Sequence, residues 1–317
     1  MISEGLAVAS LGSEGLFYNP AQTQNRDLTL LALNAYASSF PGPLSFFDAF
    51  AATGLGNQVS LEGLLIRIRA IRSRLELPRE VLGEVVACDV HPDFPAALKR
   101  SLELNALPPD SVLAFNDDCF TLLESRAFNV IDIDPFSSPI PYVYKAIRCA
   151  TSSPQKRGLL CLTFVDSRIL FGPQRDSCFH LYGTLRGEGC MKEEVGLRTA
   201  VHGVSRLAGV LGKSLKVLFT YQNHYYARAF VEVASSKTEC KTLVSKVGNL
   251  YSCLACGLQY QHTFCRQSGE RNVINPLSPS ECVGCKKPLS LSEIISRTPL
   301  DRPPLRHPVR WEDARRS

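Results

Sequence analysis

A chain of 317 residues that is 45% hydrophobic and 21% charged is long enough to bury the core of one large or two medium domains. Its net charge of +5 permits a nucleic-acid partner without demanding one. No run reaches the roughly 18 apolar residues of a membrane span, and Met1 to Gly12 lack a basic region followed by an apolar run. With Glu4 and Glu14 and no Arg, the start does not read as a mitochondrial leader either. Of twelve cysteines, eight (Cys88, Cys119, Cys149, Cys161, Cys178, Cys190, Cys240, Cys265) are scattered, which points to a reducing compartment: the nucleus first, then the cytosol or mitochondrion.

In chain order, Asn19-Pro20 marks a turn after Phe17 and Tyr18. The spacing of Leu28, Leu31, Ala32 and Ala35 predicts a helix over 27–38. Arg26 falls at its start, where the helix dipole disfavours a cation. It reads either as a surface arginine or as a cation facing an anionic ligand. Leu44 to Asp48 reads as a strand running into the small-residue turn Ala51-Ala52-Thr53-Gly54, through which backbone amides can approach a ligand closely. No G-x-G-x-x-G accompanies it, so a dinucleotide site is not indicated. Residues 56–74 read as a helix in which Arg67, Arg69, Arg72 and Arg74 interleave with apolar residues. The first expectation is a solvated basic face; the alternative is a contact to a carboxylate or to an RNA backbone.

Strands are then expected at 84–90, 112–115, 129–134 and 158–166, with helices at 93–105 and 141–150 between them. A helix at 195–211 and two closing strands, 215–220 and 226–233, bring the count to seven strands. This alternation is that of a doubly wound, mostly parallel α/β sheet. Asp48, Asp89, Asp118 and Asp134 stand at successive strand ends, and ligands in such sheets bind at those carboxyl ends. An acid at the second strand end typically takes ribose hydroxyls, and one at the third can take an exocyclic amine. In Asp134-Pro135-Phe136 a carboxylate, a stiff exit and a ring are adjacent, a clamp for a flat, amine-bearing base. Beyond Ser235 the pattern breaks. Cys253-x-x-Cys256 and Cys282-x-x-Cys285, 25 residues apart, match a zinc ribbon, with His262 and Cys265 ranked below those four. The tail after Leu289 is rich in Pro and Arg and is expected to be disordered in part.

Phe17-Tyr18-Asn19-Pro20, Asn25-Arg26-Asp27, Ala52-Thr53-Gly54-Leu55, Asp134-Pro135-Phe136, Gly158 to Thr163 with Asp166, and the two cysteine pairs occur in one order. In this the chain resembles the tRNA guanine-26 N2 dimethyltransferase family, from about Glu4 to Cys285. The resemblance implies a class I S-adenosylmethionine-dependent methyltransferase fold over 44–234. A contacting segment at 1–43, a zinc-binding module at 235–290 and a tail at 291–317 complete the expected division. It implies S-adenosylmethionine and zinc as cofactors and tRNA as partner, with no membrane and no obligate protein partner. The target would be the N2 of a guanine at the junction of the D and anticodon arms. Arg26, Asp48, Thr53, Gly54, Arg69, Asp89, Asp118 and Cys119 would line the methyl donor. Phe17 and Tyr18 would meet the substrate, and Asp134, Pro135 and Phe136 would perform the chemistry. The chain departs from the family pattern at Gly56 to Ile68, which interrupt the step from Thr-Gly-Leu to Arg69-x-x-Arg72, at Cys119, at Ser137, after Asp166, and in a short C-terminal region. A non-catalytic tRNA-binding relative is therefore the alternative.

Overall fold

The computed structural model describes residues 2–9, 22–51, 69–78, 80–185, 192–223, 226–269, 271–275, 280–288 and 290–296. The chain opens with an antiparallel hairpin, β1 (Ile2–Glu4) and β2 (Ala7–Ala9). Its turn needs Gly5 on two grounds. The backbone is left-handed there (φ +57°), and an added Cβ would lie 2.1 Å from Glu76 Oε1.

Helix α1 (Thr23–Ala37) follows, then β3 (Leu44–Asp48), α2 (Arg69–Glu76), β4 (Leu82–Asp89), α3 (Phe94–Leu104), β5 (Leu113–Asn116), α4 (Cys119–Ser125), β6 (Val130–Ile133), α5 (Ile140–Thr151) and β7 (Arg157–Phe164). After β7 come α6 (Ser167–Leu170), α7 (Arg175–Tyr182), α8 (Lys192–Val210), β8 (Ser214–Gln222) and β9 (Ala227–Ala234). The seven strands β3 to β9 form one sheet in the order β5-β4-β3-β6-β7-β9-β8. Strands β3 to β7 pair in parallel, and β9 runs antiparallel to β7. The expected doubly wound, mostly parallel seven-stranded sheet is therefore present.

The central strands are apolar along their length rather than alternating, as required when helices cover both faces. Phe46, Phe47, Val130, Ile131, Ile133, Leu159 and Leu160 are all fully buried. The one charged residue within β6, Asp132, is buried as deeply. From β3 the chain winds outward through β4 and β5, then returns to lay β6 beside β3. That reversal is the topological switch point, where the carboxyl ends of such sheets hold their ligands. Its register places Asp48 opposite Asp132.

The rest of the chain is α9 (Lys237–Thr242), a 3-10 turn at Leu243–Lys246, β10 (Val247–Ser252), β11 (Gln259–Thr263), β12 (Cys265–Ser268), β13 (Arg271–Ile274) and β14 (Ser290–Ser296). Strands β11-β10-β14 make a three-stranded sheet, and β12 and β13 a hairpin. Two compact units result. One holds residues 1–165 and 218–235, the other 166–217 and the chain from Ser236. The boundary thus differs from a single cut near residue 235. Helices α6 to α8 belong with the C-terminal strands, because β10 has an apolar residue, Leu250, that shares a small buried cluster with Val195 of α8. No helix among the described residues is long and apolar enough to cross a membrane.

Candidate active site and metal centre

The first unit collects acids at the switch point. Asp132 lies within β6, and Asp134 follows two residues later, just past its last residue. Residues two apart on a strand share a face, so both carboxylates turn the same way, with Asp48 of β3 in register beside them. Asp132 and Asp48 are 0% exposed and Asp134 4%. Three carboxylates so placed repel one another unless cations lie between them.

Two arginines supply those cations. Arg69 of α2, 1% exposed, places Nη2 2.9 Å from Asp134 Oδ2. Its Nη1 lies 3.2 Å from Asp132 Oδ1 and 3.4 Å from Asp48 Oδ1. Burial alone would lower its pKa; Asp132, Asp48 and Asp134 more than offset that and raise it. Arg228 of β9 pairs with both oxygens of Asp132 and donates to Thr163 and, at 2.7 Å, to Thr29 Oγ1. Thr29 also donates to Asp132 Oδ2 at 3.2 Å, which ties α1 to the sheet. The expected solvated basic face on this helix is therefore corrected for Arg69 and Arg72. Three residues apart, they share one side of α2, and that side is turned into a buried field of carboxylates. Arg74 instead donates to the backbone carbonyls of Ser111, Leu82 and Gly83. Arg67 lies outside the described residues.

Arg26 is explained by the hairpin. Helix α1 begins at Thr23, four residues earlier than expected, so Arg26 sits inside its first turn. Its guanidinium forks onto Glu4, with Nε 2.7 Å from Oε1 and Nη2 on Oε2. Arg72 Nη1 reaches the same Oε1 at 2.7 Å, and Arg72 also pairs with Asp27 and Glu76. The anion that a cation at a helix start calls for is thus supplied by the chain itself, from a hairpin whose tip is held by Leu6 N donating to Glu76 Oε1 at 3.0 Å.

Along the same sheet edge, Asp89 is half-buried and accepts from His91 N at 2.9 Å. Asp118 is exposed and caps α4, accepting from Phe120 N at 2.9 Å, an N-cap role. Cys119 behind it is buried, and burial raises the pKa of its thiol. Burial likewise pushes the Cys88 thiol up to about 12 and raises that of Cys161. These thiols stay protonated near neutral pH, so none is a ready nucleophile. Pro135 is buried, while the ring of Phe136 is 54% exposed: a flat apolar face beside a sunken carboxylate. Phe17, Tyr18, Thr53 and Gly54 lie outside the described residues.

The second unit holds the cysteine cluster. The Sγ atoms of Cys253, Cys256, Cys282 and Cys285 all lie within 4.8 Å of one another. Cys253 and Cys285 are 3.4 Å apart, Cys256 and Cys282 3.6 Å. Sulfurs around one tetrahedral Zn²⁺, at about 2.3 Å from the metal, stand about 3.8 Å apart, so the donor set fits such an ion. The two knuckles share a backbone pattern. Gly257 N donates to Cys253 O at 2.8 Å, and Lys286 N to Cys282 O at 2.9 Å; both residues are left-handed, at φ +74° and +61°. The backbone amide of Cys256 is the main cause that lowers the Cys253 thiol to about 6, whereas Cys256, despite the Leu258 amide, is pushed up to about 12 by the Cys253 thiol beside it. Cys265 is buried on β12 and, like His262, is not in the cluster.

Sequence reasoning missed Glu4, Asp132, Thr29, Thr163 and Arg228. Asp132 did carry a signal: an acid two residues before Asp134 in an otherwise apolar strand needs a buried counter-charge. Nothing local identified Arg228 as that partner across 96 residues.

A family model described as N2,N2-dimethylguanosine tRNA methyltransferase matches residues 3–300. A tRNA (guanine(26)-N(2))-dimethyltransferase of Haloquadratum walsbyi is 30% identical over 288 residues, which is 88% of this chain and 66% of that protein. Its namesake from Haloarcula marismortui is 27% identical over 274 residues, 86% of this chain and 65% of that one. The chain thus spans just under two thirds of the length of these curated relatives. Among solved structures, a complex of Trm1 from Pyrococcus horikoshii with S-adenosyl-L-methionine is similar with a TM-score of 0.69 at 27% identity, over 88% of this chain and 73% of that one. By a match over most of its length, on the sheet and switch point described above, the chain belongs to the N2,N2-dimethylguanosine tRNA methyltransferase family.

Proposed function

We propose that the chain transfers methyl groups from S-adenosylmethionine to the exocyclic N2 of guanine at position 26 of tRNA, giving N2-methyl- and N2,N2-dimethylguanosine. The observation that carries this reading is Asp134, a nearly buried carboxylate at the switch point with the exposed ring of Phe136 two residues on.

When bound, S-adenosylmethionine supplies an electrophilic sulfonium methyl. The residues of this chain do the rest. The amine lone pair of guanine is delocalised into the ring and is a poor nucleophile. Asp134, accepting an amine N–H with help from the Pro135 carbonyl, orients the nitrogen and lets that pair localise. The proton that methylation would leave on the nitrogen would pass to the Asp134 carboxylate or to water. Phe136 offers a face on which the base can stack, with Phe17 and Tyr18 as further substrate contacts. A base inside folded RNA must first be unstacked, at a cost of about a few kcal/mol. Asp89 would take the ribose hydroxyls of the methyl donor. Asp118 and Cys119 would lie beside its adenine, and Thr53 and Gly54 beside its chain. Asp48 and Arg26 would serve its amino-acid end, where an arriving carboxylate meets an arginine already paired with Glu4. We assign Zn²⁺ to Cys253, Cys256, Cys282 and Cys285. The thiol-rich composition suits a reducing compartment, the nucleus first, then the cytosol or mitochondrion.

The test is incubation with unmodified tRNA and S-adenosylmethionine, then nucleoside mass spectrometry. Both methylated guanosines are expected from a transcript with G26 and neither from one with A26. The Asp134→Ala chain should lose about 10³-fold in rate while binding the methyl donor as before. Cofactor and tRNA binding with no product would instead assign the chain as a tRNA-binding relative.

A further inference from the structure

We infer that Glu4 is a positioning residue for the methyl donor: from the amino-terminal hairpin it aims Arg26, the arginine that the donor carboxylate meets. The inference rests on the reading of Arg26 given above. Three observations carry it. First, Glu4 is a junction between elements rather than a surface acid. It is 4% exposed, and its Oε1 accepts from Arg26 Nε and from Arg72 Nη1, each at 2.7 Å. Its Oε2 accepts from Arg26 Nη2 and, at 3.3 Å, from Thr23 Oγ1. One carboxylate thus joins β1 to the first turn of α1 and to α2. Second, the fork on Arg26 is side-on, through the Nε–Nη2 edge. A guanidinium is planar and holds its N–H donors in fixed directions. Once its side edge is committed to Glu4, the direction of its terminal edge follows, and a second carboxylate is met end-on.

Third, the hairpin that carries Glu4 is itself fastened. Leu6 N donates to Glu76 Oε1 at 3.0 Å. Val8 N donates to Asn105 Oδ1 at 2.7 Å, and Asn105 Nδ2 donates back to Val8 O at 2.7 Å. Between them Ala7 is fully buried in the core of the first unit. Glu76 pairs in turn with Arg72, so the groups that hold the hairpin and the groups that hold Glu4 form one network.

Charge sets the direction of the effect. The first turn of α1 has no acid of its own, so the Arg26 cation and the helix dipole add, and anions are favoured beside them. Glu4 answers part of that demand with a charge-assisted fork that fixes direction as well as distance. Arg72 is shared among Glu4, Asp27 and Glu76 and keeps two acids when the Glu4 charge is removed. Arg26 then loses the fork that aims it. Its side chain must be reordered each time a carboxylate binds, a cost that falls only on ligands carrying one.

The experiment titrates the full chain by calorimetry with S-adenosylmethionine, with S-adenosylhomocysteine and with decarboxylated S-adenosylmethionine, which keeps the sulfonium and the amine. Glu4→Gln should lose about tenfold in affinity for the two carboxylate-bearing ligands and stay within about twofold for the decarboxylated one. In turnover the loss should appear in the donor KM, with kcat at saturating donor within about threefold of wild type. Glu4→Asp keeps the charge on a shorter side chain and should restore part of the affinity. Equal losses on all three ligands would make Glu4 a structural anchor only, and tighter binding of S-adenosylmethionine would make it a competitor for Arg26; either result overturns the inference. Should Glu4→Gln not fold, Asn105→Ala, which loosens the hairpin from α3, decides by the same split between ligands. Arg26→Gln separates the inference from the reading beneath it. If that variant shows no carboxylate-selective loss, the donor-side role of Arg26 fails. If it does and Glu4→Gln does not, only the role of Glu4 fails.

Discussion

The switch point of the first unit and the cysteine knuckles of the second hold reactive side chains in opposite ways. Around the switch point the buried charges among the described residues are answered by others of the chain: three aspartates by Arg69 and Arg228, and Glu4 by Arg26 and Arg72. The knuckles are two short loops in which four thiols lie within 4.8 Å of one another. The contrast separates preorganisation from completion. Ion pairs inside a sheet fix a site before any ligand arrives, because each polar group is satisfied in the folded state. A four-thiol cluster is satisfied only when a metal supplies the missing positive charge, so its folding and its binding are one event.

The sharpest way to break the comparison is to remove one thiol. Cys253→Ser should abolish stoichiometric metal by atomic spectroscopy. It should also collapse hydrogen-exchange protection in β10, β11 and the two knuckles, while Val130–Ile133 stay protected. Undiminished metal content would rule out the four-cysteine site. Next in size is Asp132→Ala, which leaves Arg69 and Arg228 short of a buried partner and should cost about 3–5 kcal/mol in urea unfolding. Replacing Arg228 and Asp132 together, by Met and Leu, should cost clearly less than the sum of the two single changes. Simple additivity would mean that the pair is not coupled.

A third prediction concerns a buried ionisable group with no such counter-charge. His202 of α8 is buried beside Arg206, and burial first, then that charge, lowers its pKa to about 4. Its Nδ1 has no hydrogen-bond partner among the described residues. A group whose folded pKa is depressed contributes in full above its unfolded value, near 6.5, and its contribution is lost as pH falls toward the folded one. Stability should therefore drop by about 3 kcal/mol between pH 7 and pH 4 on this account, and His202→Leu should flatten that part of the pH–stability curve. The smallest effect belongs to the knuckle backbone. Lys286 holds the left-handed position that glycine fills at Gly257, so Lys286→Gly should raise the thermal midpoint of the metal-loaded chain by the equivalent of about 1 kcal/mol or less. A fall would show that the Lys286 side chain matters more than its backbone.

Several elements were legible without the structure for a common reason: their signals are local. The β6 strand announced itself by an unbroken apolar run ending in Asp-Pro, and the knuckles by their Cys-x-x-Cys spacing. Arg26 was legible as a cation needing an anion, but not as a partner of Glu4, since two residues 22 apart meet only after the hairpin folds back over α1. The arginines of α2 were misread for a related reason. Arginine interleaved with apolar residues looks like a solvated stripe, and nothing in the helix says that acids from β3 and β6 will converge on that side. Helix α8 reads in the sequence as an ordinary sheet-covering helix. Its Val195 reveals otherwise only when Leu250 is found against it.

What the sequence by itself determined is the alternation of strands and helices, the acids at the strand ends, the Asp134-Pro135-Phe136 step and the four metal-type cysteines. Periodicity, turn chemistry and ligand spacing all act over a few residues. What only the tertiary structure decided is which charges answer which. The bond from Arg69 to Asp134, the burial of Asp132 under Arg228, and the Glu4 bridge between Arg26 and Arg72 each join segments far apart in the chain. Their sign and strength depend on burial, which no stretch of sequence carries alone.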